Sequence, residues 1–263
     1  MSAAALEPYF LHLADTALIL GQRNCEWCGH APVIEEDLAL ANHALDLIGQ
    51  ARLIYSHVAA QRRDGKSSED SLAYFRDVPE FRNYTIMELP HSTALCATAS
   101  IERDFGVTVA RNYLHAELMV LVWDALTRSQ DAELAAIAAK SLKEARYHRR
   151  HSRDWVLRLG DGTDVSHQRI QAAFDHLMPY TQEFWTPSAF EKKALDAGVG
   201  VDMATLQPVW QTAVRDTLEQ ATLRVSPSSG YVTRGKFGEH SEHLGYVLGE
   251  MQSLARAHPT ATW

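Results

Sequence analysis

The stretch Ile34-Glu35-Glu36-Asp37-Leu38-Ala39-Leu40-Ala41-Asn42-His43-Ala44-Leu45-Asp46-Leu47-Ile48, continuing to Arg62, decides how the chain is read. Ile34, Leu38, Ala41, Leu45, Ile48, Tyr55 and Val58 recur at spacings of three, four or seven residues, the repeat of one face of an α-helix. Glu35, Glu36 and Asp37 come after Pro32 and load the first turn, where the helix dipole favours negative charge. The stripe persists to about Arg62, roughly 43 Å at 1.5 Å per residue. A helix over about 6–23 precedes it, with Tyr9, Leu13, Ala17 and Leu20 on one face. The link 24–32 is short, which makes the two helices antiparallel neighbours.

Working outward, residues 63–91 break the pattern. Asp64-Gly65-Lys66-Ser67-Ser68 reads as a polar turn, Pro79 and Pro90 interrupt the residues beyond it, and one short helix fits near 70–75. Ser92, just after Pro90, reads as the N-cap of a second long helix over about 92–128. A tight link, 129–131, leads to a helix over about 132–159 that Gly160-Asp161-Gly162 stops. Further helices are expected at about 165–178, 203–223 and 239–257, and no alternating run suggests a sheet. Short link, long crossover, short link is the order of a ferritin-like four-helix bundle. The chain is therefore expected to be all-α, one ferritin-like domain over 1–263 with additional C-terminal helices.

Composition agrees. Of 263 residues only 14 are Gly and 9 Pro, below the roughly 12% of an average protein. Turn-dense sandwiches and barrels need more of both. The net charge of -8 argues against a nucleic-acid binder, which needs a clustered basic surface. Three cysteines make no disulfide framework, and no signal peptide is visible. Apolar runs such as Leu118–Trp123 fall far short of the 18 or so residues that span a bilayer. A cytoplasmic protein with no membrane partner is expected.

Three places are candidates for chemistry. Trp27-Cys28-Gly29-His30 looks like the opening of a thiol–disulfide site, but Ala31 stands where the resolving cysteine is needed, so a helix-to-helix turn with buried Cys and Trp is expected. His240 and His243 lie one turn apart, a weak metal signal without a placed carboxylate or thiol. The bundle core is the third place. Ferritin-like di-iron proteins use a Glu from each of two helices and a Glu-x-x-His from each of the other two. This chain offers Asp15, Asp46, Glu102 (with Asp104 nearby) and Glu144. Gly49 and Tyr147 stand where the two histidines belong, and His148 is one residue late, about 100° further round the helix. The set reads as a relic metal site, with no metal in this chain and with Lys140 or Lys143 neutralising the buried carboxylates. Ordinary solvated helix charge and a stand-alone di-metal oxidase with atypical ligands are the alternatives. Finally, 143–158 is the most basic stretch, and Arg146, Arg149, Arg150 and Arg153 are candidate contacts to an anion or a partner, against a solvated helix face.

Longer matches give a resemblance. Glu26–Pro32, Glu35–Asn42, Ala44–Arg52, Arg76-Asp77, Phe81–Asn83, Lys143–His148, Arg158–Thr163 and Gly238–Leu248 resemble, in order, the structural C subunits of bacterial ring-1,2-phenylacetyl-CoA epoxidases. The resemblance covers nearly the whole chain. It implies a ferritin-like, non-catalytic subunit in a hetero-oligomer. A related catalytic A subunit would carry the di-iron centre and bind the CoA thioester. A separate reductase would supply electrons from NADPH, and small accessory subunits would complete the complex. The resemblance also implies a role in aerobic phenylacetate breakdown. The helices 34–62 and 92–128 are expected to supply the surface that meets the A subunit.

Overall fold

The computed structural model describes residues 3–94, 103–225 and 230–261. It is all-α, and among the described residues the only extended pairing is an isolated bridge between Arg234 and Glu239. In chain order the helices are α1 (Ala3–Cys25), α2 (Ile34–Arg62), α3 (Glu69–Tyr74), α4 (Thr85–Glu88), α5 (Phe105–Leu126) and α6 (Ala132–Gly160). They continue as α7 (Asp164–Leu177), α8 (Gln182–Trp185), α9 (Ala189–Asp196), α10 (Met203–Gln220) and α11 (Glu242–Ala257). Two long-helix hairpins separated by a long crossover give the ferritin-like order. The chain forms two compact units, Met1–Leu89 with Arg234–Trp263, and Pro90–Thr233.

The first unit is built on the α1–α2 hairpin. Gly21 lets the helices approach closely, since a Cβ there would sit 3.1 Å from Ile48 Cγ1 and 3.3 Å from the Ala44 carbonyl. α2 has two apolar sides. Leu40, Ala44, Leu47, Ala51, Ile54, Tyr55 and Val58 are buried, whereas Ile34, Leu38 and Leu45 are 67%, 60% and 66% exposed. Three of the seven residues of the stripe that marks this helix in the sequence, all in its first half, therefore face outward. The turn between the helices buries Trp27 but leaves Cys28 exposed, so only part of the expected buried Cys–Trp turn is found. Gly29, at φ +76°, donates its N–H to Asp37 in the first turn of α2 over 2.6 Å. α11 joins this unit through buried Leu244, Val247 and Leu248, and Gln252 donates to the Ala73 and Arg76 carbonyls over 3.1 and 3.0 Å.

The second unit is built on α5 and α6. α5 is buried almost all round, as a helix apolar on every side must be. It begins at Phe105, and 95–102 of the helix expected from Ser92 lie outside the described residues. The Ser92 hydroxyl is used in a local turn, accepting from the Ala94 N–H over 3.1 Å, and Asp104 is the cap, accepting from the Gly106 N–H over 2.8 Å. Asp104 is thus a helix cap and not a core carboxylate. α6 starts on an Asp131 cap to Leu134 N–H at 2.9 Å and ends at Gly160, where a Cβ would collide with the Ala221 carbonyl at the end of α10. Three helices had no expectation from the sequence. α4 and α8 are single turns, too short to show a period. α9 has a readable start, because Ser188 and Glu191 cap one another.

Candidate functional site

The residues singled out from the sequence divide between the units. Asp15, on α1, has no exposed surface and is saturated. One oxygen accepts from the Tyr55 hydroxyl on α2 and from Arg76 Nη2. The other accepts from Arg76 Nη1 over 3.0 Å and from the Arg82 N–H over 2.7 Å. These four bonds use the four lone-pair sites of a carboxylate. Arg76 is itself fixed: its Nε and Nη1 reach the Leu72 and Glu80 carbonyls over 2.6 and 3.0 Å, and its guanidinium lies 4.2 Å from the centre of the Phe81 ring. The Tyr55 phenol is held well above its ordinary pKa, by burial first and then by the Asp15 charge. The cation opposite this core carboxylate is therefore Arg76 from the crossover, not a lysine of α6. Asp46 is half-buried on α2.

In the second unit Glu144 is half-buried and lies 3.9 Å from an exposed Lys140, a surface pair one helical turn apart. Lys143 is exposed. Tyr147 is 46% exposed, stacked on His151 with Arg150 over its ring. The position a ligand histidine would take thus points outward. His148 is buried beside His115 of α5. Burial, and secondarily His148, push the His115 pKa down to about 3, so the ring is neutral, and its Nε2 has no hydrogen-bond partner among the described residues. Glu102 lies outside the described residues.

Iron would need open carboxylate oxygens and imidazoles aimed at one point. Asp15 has its lone pairs occupied by a guanidinium, a phenol and an amide, and Tyr147 faces away. These residues do not fit a di-iron centre. Among the described residues no group of three or more His, Cys, Asp or Glu is arranged around a metal-sized space. His240 is committed elsewhere, with Nδ1 2.8 Å from the Glu88 carboxylate and Nε2 3.0 Å from the Phe81 carbonyl.

The arginines form the other grouping. Arg146, Arg149, Arg150 and Arg153 line one open cleft of about 470 Å³ between α6 and α10, with Glu117 of α5 in its wall. Burial raises the Glu117 carboxyl above its usual pKa, while Arg149, Tyr113 and Arg153 act against the rise. Sequence reasoning missed Glu117, His115 and Arg76. A lone carboxylate inside the apolar run of α5 was the available signal for Glu117.

No helix among the described residues is long and apolar enough to cross a membrane. Comparison with known proteins gives two findings. The family described as phenylacetic acid catabolic protein matches residues 2–263. The chain is also 43% identical over 258 residues, 98% of its own length and 99% of the relative's, to the C subunit of 1,2-phenylacetyl-CoA epoxidase from Escherichia coli (strain K12). Matched over nearly its whole length in both comparisons, the chain belongs to the family of phenylacetic acid catabolic proteins.

Proposed function

We propose that this protein is a non-catalytic subunit of a multicomponent di-iron oxygenase that epoxidises the aromatic ring of phenylacetyl-CoA, and that it supports a related catalytic A subunit. The similarity to an epoxidase C subunit along the whole chain supports the substrate class and the hetero-oligomer. Iron sits in the A subunit, and a separate reductase feeds it electrons from NADPH. The complex works in the cytoplasm with small accessory subunits.

The observation that carries the supporting role is the second apolar side of α2. Ile34, Leu38 and Leu45 fall within about 40° of one another at 100° per residue. They are large, aliphatic and exposed, whereas α5 keeps almost none of its surface free. Obligate interfaces commonly bury 2,000 Å² or more around an apolar centre, and an uncovered aliphatic stripe is what such an interface leaves on a separated subunit. The saturated Asp15 supports the non-catalytic part of the reading.

The test is co-purification with the catalytic A subunit, with metal analysis of each partner. The expected outcome is that iron follows the A subunit and that Leu38→Asp with Leu45→Asp abolishes the complex, and with it epoxidation, while this chain melts as before. Two iron ions per chain in the isolated protein, or an unaffected complex in the double variant, would overturn the proposal.

A further inference from the structure

Arg146, Arg149, Arg150 and Arg153 stand at i, i+3, i+4 and i+7 on α6, so four like charges share one helical face. Neighbours of like charge at these spacings destabilise a helix, so this arrangement is not one that folding alone favours. The chain's own acids offset it only loosely, without direct hydrogen bonds to Arg146 or Arg149. Arg149 lies 3.8 Å from Glu117, and Arg146 lies 3.8 Å from Asp124, both beyond hydrogen-bond reach. Arg150 lies over the Tyr147 ring at 5.7 Å. Arg153 is held by polar neutral groups of α10, with Nε 3.3 Å from Thr217 Oγ1 and Nη2 2.7 Å from Gln220 Oε1. Three guanidiniums thus keep donors aimed into a cleft whose far wall is α10.

We propose that this cleft docks an acidic helical segment of a partner protein, with carboxylates spaced one turn apart. Three observations favour a segment over a compact oxyanion. The stripe extends about 10 Å along the helix axis, further than one phosphate can reach. Glu117, Asp154 and Asp216 also line the cleft, and they repel a small anion but can pair with basic residues of a protein segment. The cleft is open along its length, with Arg146 and Arg149 57% and 39% exposed. Carboxylates four residues apart on a helix match guanidiniums at the same spacing, and such complementarity fixes partner and register. The proposal stands on the second unit alone, so it and the α2 stripe fail independently.

The test uses the full-length chain and a fluorescein-labelled, alanine-rich helical peptide with glutamates four residues apart, read by anisotropy. Arg149→Glu with Arg150→Glu should weaken binding by at least about tenfold, as expected for loss of two close charge pairs. Arg63→Glu with Lys66→Glu makes the same charge change at the exposed turn after α2 and should leave affinity within about twofold. If the double glutamate variant does not fold by circular dichroism, Arg149→Gln with Arg150→Gln takes its place. Equal losses in both variants, no binding to the wild-type chain, or displacement of the peptide by millimolar pyrophosphate would each overturn the proposal.

Discussion

Asp15 and Glu117 each meet arginines inside a helical unit, but on different terms. Asp15 is closed: Arg76 grips it with two nitrogens, Tyr55 and the Arg82 amide take the remaining lone pairs, and both charges are buried. Glu117 is only half-answered, with Arg149 3.8 Å away and itself lining the open cleft. The first arrangement spends its charges on holding a fold. The second leaves them available. Burial of a carboxylate beside arginine does not by itself distinguish structure from recognition; the direct hydrogen bonds and the access of solvent do.

The comparison breaks most visibly at Arg76. Arg76→Met strips a buried carboxylate of its partner and should cost about 3–5 kcal/mol, measured by urea unfolding. Adding Asp15→Asn should recover part of that loss, because the stranded charge is gone. A cost for Arg76→Met near that of a surface substitution would show that the network is not closed.

His115 gives the next largest effect, as a pH dependence. The unfolded chain takes up the imidazole proton near pH 6.5, whereas the folded protein takes it up only near pH 3. Between those values the unfolded state binds a proton that the folded state lacks, so stability falls as the pH falls through the window, by about 1.4 kcal/mol per pH unit. His115→Leu should flatten this acid limb in melts between about pH 6 and 4. An unchanged slope would mean that the buried ring is protonated in the fold.

The smallest effect is expected on the other side of the comparison. Arg149→Ala with Arg150→Ala removes exposed, loosely paired, mutually repelling charges. Stability should stay within about 0.5 kcal/mol of wild type, in contrast to Arg76→Met. A loss of 2 kcal/mol or so would place these arginines with the fold-holding kind.

α1 and α2 were legible because each carries a stripe at the 3.6-residue period, and α6 because Asp131 and Gly160 punctuate it in the expected places. α2 shows where the period stops informing. Its stripe of Ile34, Leu38, Ala41 and Leu45 is genuine, but the helix has a second one, and periodicity cannot say which faces a neighbour in the same chain. Ser92 is a plausible cap displaced by a better one, Asp104, whose position among mid-helix acids suggested a place in the core. Asp15 stands out as a mid-helix acid, yet its partner comes from the crossover, where no period places a side chain. The arginine stripe can be read in full from its spacing. The opposing wall on α10, some sixty residues later, cannot.

The closing of Glu88 carries a consequence for how the chain is made. Its carboxylate accepts from Asn83 nearby over 2.8 Å, from the Ser241 amide over 2.6 Å, and meets His240 at 2.8 Å. Everything between, 90–233, belongs to the other unit, a single uninterrupted segment. During vectorial synthesis that segment can condense as soon as it leaves the ribosome, while the earlier-born α1–α4 wait with Glu88 answered by Asn83 but not by its C-terminal partners until the last thirty residues emerge. The oldest part of the chain is thus the last to be finished, and a chain cut short between residues 233 and 240 would carry a half-built first unit joined to a complete second one.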